Sequence, residues 1–361
     1  MRVELIAAKD WSSINPIAWD LLANKSIYPN PFYERWCLGS AINNLSSGLE
    51  LYVACGYEEG ELQVLCPVVM NKPYPMIEQV EVWRHPHCSL SSPLVKDPDL
   101  LPIFFNKLLS ISSRNFLRIS NHLSKLDVCV SDKYYVVDQH QRAAQILTST
   151  WDEYLANHLA DKQKKYFKIV NRIENKLNAQ YQHISEGDLA SWLRRYVQVE
   201  SSGWKFRAGT SLAQNADELN YYLECIERGQ VDNKIEFQAI TTANHDIAIS
   251  FRFVTHNQCF EIKTSYHEDY KQYSPGVALE FYNLKMLFES DYDYADSCTE
   301  EDNQLLNKLW QHKRELISAT IFQTSRKSTF LYQSIKCASY LKRLRKNQFS
   351  HEKPRIKNQC S

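Results

Sequence analysis

Glycine is scarce in this chain, with 9 in 361 residues beside 12 prolines and 4 methionines. So little glycine and proline leaves no room for long flexible linkers. A Walker loop, a dinucleotide fingerprint and a Gly-x-Ser-x-Gly elbow are missing, which removes the usual signs of a nucleotide hydrolase, a dehydrogenase or a serine hydrolase. No apolar run approaches a bilayer span. The start, from Met1 to Trp11, lacks the apolar core expected of a signal peptide. Ten cysteines are scattered singly without a Cys-x-x-Cys pair, several of them in strand-like runs. Buried free thiols in a reducing cytoplasm are therefore expected. His85-x-His87-Cys88 holds ligand-type residues, but nearby prolines and the lack of a second cluster argue against zinc, and no metal is expected. Cys298 has no histidine in an identifiable partner position and reads as an inert thiol. The expected protein is cytoplasmic.

Charge is balanced overall, 42 Lys and Arg against 42 Asp and Glu, but unevenly spread. Residues 326–361 carry ten basic residues and one acid, Glu352, leaving 32 basic against 41 acidic residues in the body. In this tail Phe330, Ser334, Cys337, Leu341 and Leu344 can share a helical face beside Lys342, Arg343, Arg345 and Lys346. It reads either as a soluble extension or as a segment for an anionic membrane surface, the inner membrane included, or an acidic partner.

The length suggests two domains, 1–147 and 148–325, followed by the basic extension 326–361. In the first, residues 51–57 and 62–69 read as strands joined by a hairpin at 58–61, 86–98 as loop, 101–110 as helix and 116–119 as strand. The second opens on a capping-box pattern at Thr150-Trp151-Asp152-Glu153. A long amphipathic helix follows to Leu177, with Lys162, Lys164, Lys165, Lys168, Arg172 and Lys176 on its basic face. Helices are expected over 189–199 and 219–226, the latter stopped by Gly229. Strands at 235–241, 247–254 and 259–266 form a meander. A helix runs from Val277 to about 289, a strand ends at Asp296, and a helix from about 304 to 318 closes the unit.

Between the third strand and its helix lies Tyr273-Ser274-Pro275-Gly276. Serine suits an N-cap, proline the first helical position, and glycine a close approach to the backbone. Such a helix start is a capped terminus in itself, and it can also hold a phosphate or carboxylate. On the preceding strand, strict alternation sets Phe260, Ile262, Thr264 and Tyr266 on one face and Glu261, Lys263 and Ser265 on the other. Charges in a sheet-forming run need a reason: a site role, or a solvated or ion-paired face.

The order of helices, meander, loop, helix and strand resembles the GNAT acyltransferase fold. Glu200 to Thr210, read as E-x-x-G-W-K-x-x-x-G-T, looks like the corresponding stretch of the FemAB-like GNAT acyltransferases, a group that includes bacterial proteins linked to cellulose and exopolysaccharide synthesis. Lys263 to Glu268 with Ser274-Pro275-Gly276 resembles the family's K-x-x-Y-(D/E)…S-P-G block, with His267 where an acid is common and Glu268 beside it. Asp296-Ser297-Cys298 followed by Leu309-Trp310 is similar to the D-S-C…L-W ending of one subgroup. Upstream, Trp83-Arg84-His85 and Ser92-Pro93-Leu94 resemble the matching N-terminal domain. The implied fold is α/β (α+β): tandem GNAT-like domains, each a mixed, mostly antiparallel twisted sheet flanked by helices.

The resemblance implies N-acyl, most simply acetyl, transfer from acyl-CoA to a small-molecule amine such as an amino sugar or sugar nucleotide. Ser274, Pro275, Gly276 and Val277 would hold the pyrophosphate, although the loop lacks the fuller glycine-rich signature of single-domain GNAT enzymes. Acyl transfer needs a polarised carbonyl, a base for the amine and an acid for the leaving group. Backbone N–H groups near Lys263 would polarise. Glu200 is read as general base or amine ligand. Asp296 either accepts the amine proton or caps a loop, and Tyr266 either protonates the thiolate or packs. Trp204, Lys205 and Glu261 would contact substrate, Trp204 alternatively joining the core. The rival expectations are an aminoacyl-tRNA-dependent transferase and a catalytically silent adaptor of polysaccharide machinery.

Overall fold

The computed structural model describes residues 1–74, 77–123, 134–323 and 332–333. The first half runs β1 (Arg2–Ala7), α1 (Pro16–Lys25), α2 (Arg35–Leu45), β2 (Leu51–Glu58), β3 (Glu61–Tyr74), β4 (Ile77–Val82), β5 (Leu94–Val95), α3 (Leu100–Ser112), β6 (Phe116–His122) and β7 (Tyr134–Ile146). The second runs α4 (Trp151–Tyr154), α5 (Gln163–Leu177), β8 (Gln180–Ile184), α6 (Leu189–Ser201), α7 (Trp204–Arg207), α8 (Ala216–Gly229), β9 (Ile235–Thr241), β10 (Asp246–Thr255), β11 (Gln258–Tyr266), α9 (Pro275–Phe288), β12 (Tyr294–Asp296), α10 (Leu306–Leu309) and β13 (His312–Phe322).

Local chemistry explains several of these boundaries. The β2–β3 hairpin turns on Glu59 and Gly60, both at positive φ (51° and 87°), the geometry that matches strand twist in a two-residue turn. Thr150 and Glu153 form the expected capping box: each side chain accepts from the other residue's backbone N–H. Asn215 caps α8 by accepting from the Glu218 N–H. Gly229 ends α8 as expected, but at φ −91°, so no left-handed turn requires it. A Cβ there would lie 2.9 Å from the Trp36 ring, and close packing of α8 on α2 is the reason for glycine.

Twelve strands follow one path, β1-β2-β3-β4-β6-β13-β7-β12-β11-β10-β9-β8, with β5 on the side of β3. Two pairings are parallel, and each closes a strand–helix–strand unit: β4 with β6 around α3, and β11 with β12 around α9. The unit recurs in both halves, giving the tandem, mostly antiparallel α/β architecture. The halves also exchange strands. β7 leaves the first half to pair with β12, β13 leaves the second to pair with β6, and the two pair with each other at the centre. The main apolar core therefore spans both halves, and a second lies between the sheet, α5 and α9.

Three expectations need correction. The helix placed at 304–318 is the single turn α10 followed by β13, because Leu316 to Phe322 are drawn between two strands of the other half, where all seven are buried. The long helix to Leu177 breaks: Leu155–Leu159 form a π turn and Ala160 takes φ 28° before α5 begins. Ser274 does not cap α9 through its hydroxyl; it sits in the left-handed region at φ 59° with no side-chain cap bond. Six of the cysteines are buried and Cys298 is half-buried, all as free thiols. Among the described residues, no helix is long and apolar enough to cross a membrane. The basic tail lies outside the described residues, apart from 332–333.

Candidate active site

The parallel pair β11–β12 is matched only over three residues, Gln258 to Phe260 against Tyr294 to Asp296. Beyond Phe260, β11 continues to Tyr266 along β10 alone, so one edge of its backbone N–H and C=O groups has no strand partner. The β10 register slips at the start of this stretch: Arg252 faces Glu261 and Phe251 faces Lys263, leaving Ile262 as the extra residue of a bulge. Strict alternation therefore fails. Ile262 and Lys263 both turn to the α6–α8 side, while Glu261 and Tyr266 face α9.

On the α6–α8 side Glu200 is the hub. Its fully buried carboxylate accepts from the Leu212 N–H at 2.8 Å, Tyr196 Oη at 2.9 Å, Lys205 Nζ at 3.1 Å and Ser211 Oγ at 3.2 Å. Burial raises its pKa, but the Leu212 N–H and the Lys205 and Lys263 ammoniums outweigh burial and leave it below the usual range. A carboxylate near a helix C-terminus is otherwise unfavourable, and these donors offset that cost. Lys263 Nζ lies 5.8 Å from the centre of the Tyr222 ring, and burial lowers its pKa. His87, from a loop of the first half, stacks on Tyr221 with its Nε2 2.9 Å from Glu218. Burial and Lys263 push its imidazole down to about 3, against the pull of Glu200, so it is neutral. The turn after Glu200 abuts the end of β11, where the Glu268 N–H donates to Ser202 Oγ. The two sequence blocks quoted for the resemblance thus meet here.

On the α9 side Arg252, fully buried in β10, lies 3.0 Å from Glu236 and 3.7 Å from Glu261. Both Glu261 oxygens lack a hydrogen bond among the described residues, and burial raises this carboxyl's pKa. Glu280 on α9 accepts from Trp310 Nε1 at 2.5 Å; burial and Glu261 push it up to about 8. The Tyr266 ring lies over Gly276, where a Cβ would stand 3.5 Å from it. At the start of α9 the Val277 and Ala278 N–H groups are already bonded to the Ser274 carbonyl. That leaves the Gly276 N–H without an acceptor among the described residues. Arg172 of α5 reaches this turn, donating to the Gln272 carbonyl and lying 5.5 Å over the Tyr273 ring.

Asp296, at the end of β12, is fully buried between two guanidiniums: Arg142 Nε at 2.6 Å and Nη2 at 2.7 Å, and Arg314 Nη1. Burial alone would raise its pKa, but the two arginines and the Cys298 N–H hold it near 2. It fastens β7 and β13 to the end of β12. The structure thus gathers Glu200, Lys205 and Lys263 on one side of the bulge and Glu261, Tyr266 and the α9 start on the other. Asp296 stands apart in its own ion pairs, and the Trp204 side chain is outside what is described. Sequence reasoning weighed His87 only as a metal ligand and missed Glu280 and Arg252. Of these two only Arg252 carried a signal, as a lone charge in the apolar run 247–254. Among the described residues no group of three or more His, Cys, Asp or Glu is placed to hold a metal.

Solved structures share this fold. FemX superposes over 93% of this chain and 100% of its own, with a TM-score of 0.59 and 10% identity. The fold is FemX-like. The same fold occurs in the C-terminal domain of a putative lysylphosphatidylglycerol synthetase from Agrobacterium fabrum (TM-score 0.57, 10% identity, 89% of this chain and 95% of that one). It occurs again in L-PGS from Bacillus licheniformis (TM-score 0.55, 11% identity, 91% and 96%). No protein-family model matches the chain, and no curated protein matches it in sequence.

Proposed function

We propose that the protein is a GNAT-type transferase that moves an acyl group onto an amine. The observation that carries this reading is the bare, bulged edge of β11 running on past the end of β12, with the start of α9 beside Tyr266. An acyl carbonyl lying along that edge would meet N–H groups fixed by the β10 ladder, which stabilise the oxyanion without reorganisation. Lys263, with its lowered pKa, is assigned to the acceptor or to the developing negative charge. Tyr266, against the helix start, is assigned to return a proton to the leaving group. Glu200, held by four donors and acidic, is assigned to positioning Lys205 and the turn to β11 rather than to proton abstraction. Asp296, held near 2, is assigned the same kind of structural role.

The donor assigned first is acyl-CoA, its pyrophosphate at Ser274, Pro275, Gly276 and Val277. The fit is partial, because one N–H of that turn is free. A second reading, an aminoacyl-tRNA donor, is favoured by a specific feature. The exposed face of α5 carries Lys164, Lys165, Lys168, Arg172 and Lys176, and Arg172 touches the same helix start. One protein that shares the fold is a putative lysylphosphatidylglycerol synthetase, whose name denotes an aminoacylated product. The resemblance to polysaccharide-linked proteins supports an amino sugar or sugar nucleotide of the envelope as acceptor.

The test is mass-spectrometric transfer to a panel of amino sugars, with acetyl-CoA in one arm and aminoacyl-tRNA in the other. Acetylated product supports the first donor. Aminoacylated product alone supports the second. No consumption of either donor overturns both and leaves the silent adaptor.

A further inference from the structure

At the centre of the sheet, β6, β13 and β7 lie side by side and bury Leu117, Ile119, Ala319 and Ile321 on one face. Their other face is polar between Leu316 and the Phe116–Phe322 pair. Arg118 and Ser120 of β6, Ser318 of β13, and Asp138, His140 and Arg142 of β7 line a cavity of about 460 Å³. A loop of the first half (Arg84 to Ser89) and one of the second (Cys298 to Glu301) wall it in. Central strands usually bury both faces, so an open polar floor there needs a cause. The volume is within the range of small-molecule sites.

The charges in this cavity are divided. Arg84 and Arg118 stand on the side of β4 and β6 and form no ion pair with a described carboxylate. Arg142, by contrast, is taken up by Asp296 and the Ser89 carbonyl. Glu300 and Glu301 follow the end of β12 on the opposite side, and neither forms an ion pair among the described residues. β6 and β12 are three strands apart, roughly 14 Å at about 4.8 Å per step, and all four residues line the one cavity. An arginine pair favours a phosphate, and a glutamate pair favours an ammonium.

We propose that this seam cavity binds a phosphorylated primary amine. Its phosphate lies on Arg84 and Arg118, and its amine is directed to Glu300 and Glu301 at the end of β12. The inference rests on the transferase reading for naming that amine as the acceptor; the binding itself does not depend on it.

The test is calorimetry on the full chain without donor, using glucosamine 6-phosphate, glucosamine and glucose 6-phosphate. The bifunctional probe is expected to bind at least tenfold more tightly than either single-function probe. Arg84→Ala and Arg118→Ala should each weaken it about tenfold while leaving glucosamine unchanged. The double change Glu300→Gln with Glu301→Gln should remove its advantage over glucose 6-phosphate. All four side chains are exposed, and melting temperatures matching the wild type establish that the variants fold. Equal affinity for the three probes, or arginine variants that bind as wild type, overturns the proposal. Selective binding with no transfer from any donor leaves the cavity standing and removes only the transferase reading. Transfer to unphosphorylated amines with no selective binding does the reverse.

Discussion

Glu280 and Glu200 are both buried carboxyls, yet their surroundings push them in opposite directions. Glu280 keeps its proton in the folded state up to about pH 8, whereas in the unfolded chain it loses it near 4.3. Between those values the native state binds the extra proton, so stability falls as pH rises, by up to about 1.4 kcal/mol per pH unit. Glu280→Gln keeps an acceptor for Trp310 and removes the titration. Its melting temperature should match wild type at pH 5, exceed it at pH 8 and vary less between, with a residual slope from Glu261. Glu200 has the reverse character, ionised and fully bonded. Glu200→Ala strands the Leu212 N–H and the Tyr196 and Ser211 hydroxyls, and a loss of about 3–5 kcal/mol is expected in denaturant melts. Glu200→Gln should melt lower than wild type yet retain transfer; a variant of full stability and no activity would make Glu200 the base.

At the scale of elements, the bulge in β11 and the start of α9 shape the candidate site. Deleting Ile262 makes Glu261 and Lys263 consecutive opposite Arg252 and Phe251, a regular ladder with every side chain still on its present face. The deletion should melt within a few degrees of wild type. Straightened, β11 should present the backbone groups of its free edge in a different register, and transfer should fall at least tenfold in the mass-spectrometric assay. At the helix start, a Cβ on Gly276 would make an ordinary 3.5 Å contact with Tyr266. Gly276→Ala should therefore fold with unchanged or slightly raised stability, by up to about 1 kcal/mol. If the donor's phosphate approaches that backbone, CoA affinity measured by calorimetry should drop on the order of tenfold, about 1.4 kcal/mol.

Over the whole molecule, strand exchange makes the halves interdependent. Residues 1–147 alone would leave β6 unpaired on one side and β7 unpaired on both, and residues 148–325 alone would leave β12 unpaired on one side and β13 unpaired on both. Each fragment alone should be poorly soluble, while coexpressed fragments should copurify as a one-to-one complex by size exclusion. The intact chain, with its main core shared between halves, should unfold in one transition seen alike by near- and far-ultraviolet circular dichroism. Two separated transitions would show that the halves fold independently.

The readable parts of this protein were local. The hairpin at Glu59-Gly60, the capping box at Thr150 and the β9–β11 meander are set by residues within a few positions of one another, and periodicity and turn chemistry announced them. The blocks around Glu200 and Lys263 were legible as a resemblance, and tertiary structure brought them together. What could not be read depended on distant partners. Leu316 to Phe322 became a strand only because β6 and β7 flank it, and Asp296 was fixed as an ion-paired acid by Arg142, 154 positions away. The bulge that sets Lys263 beside Ile262 is a matter of register against β10. The seam cavity needs floor strands from both halves. Short-range propensity settles backbone conformation along a few residues, whereas charge state, strand neighbours and cavities are settled by whatever the rest of the chain packs against them.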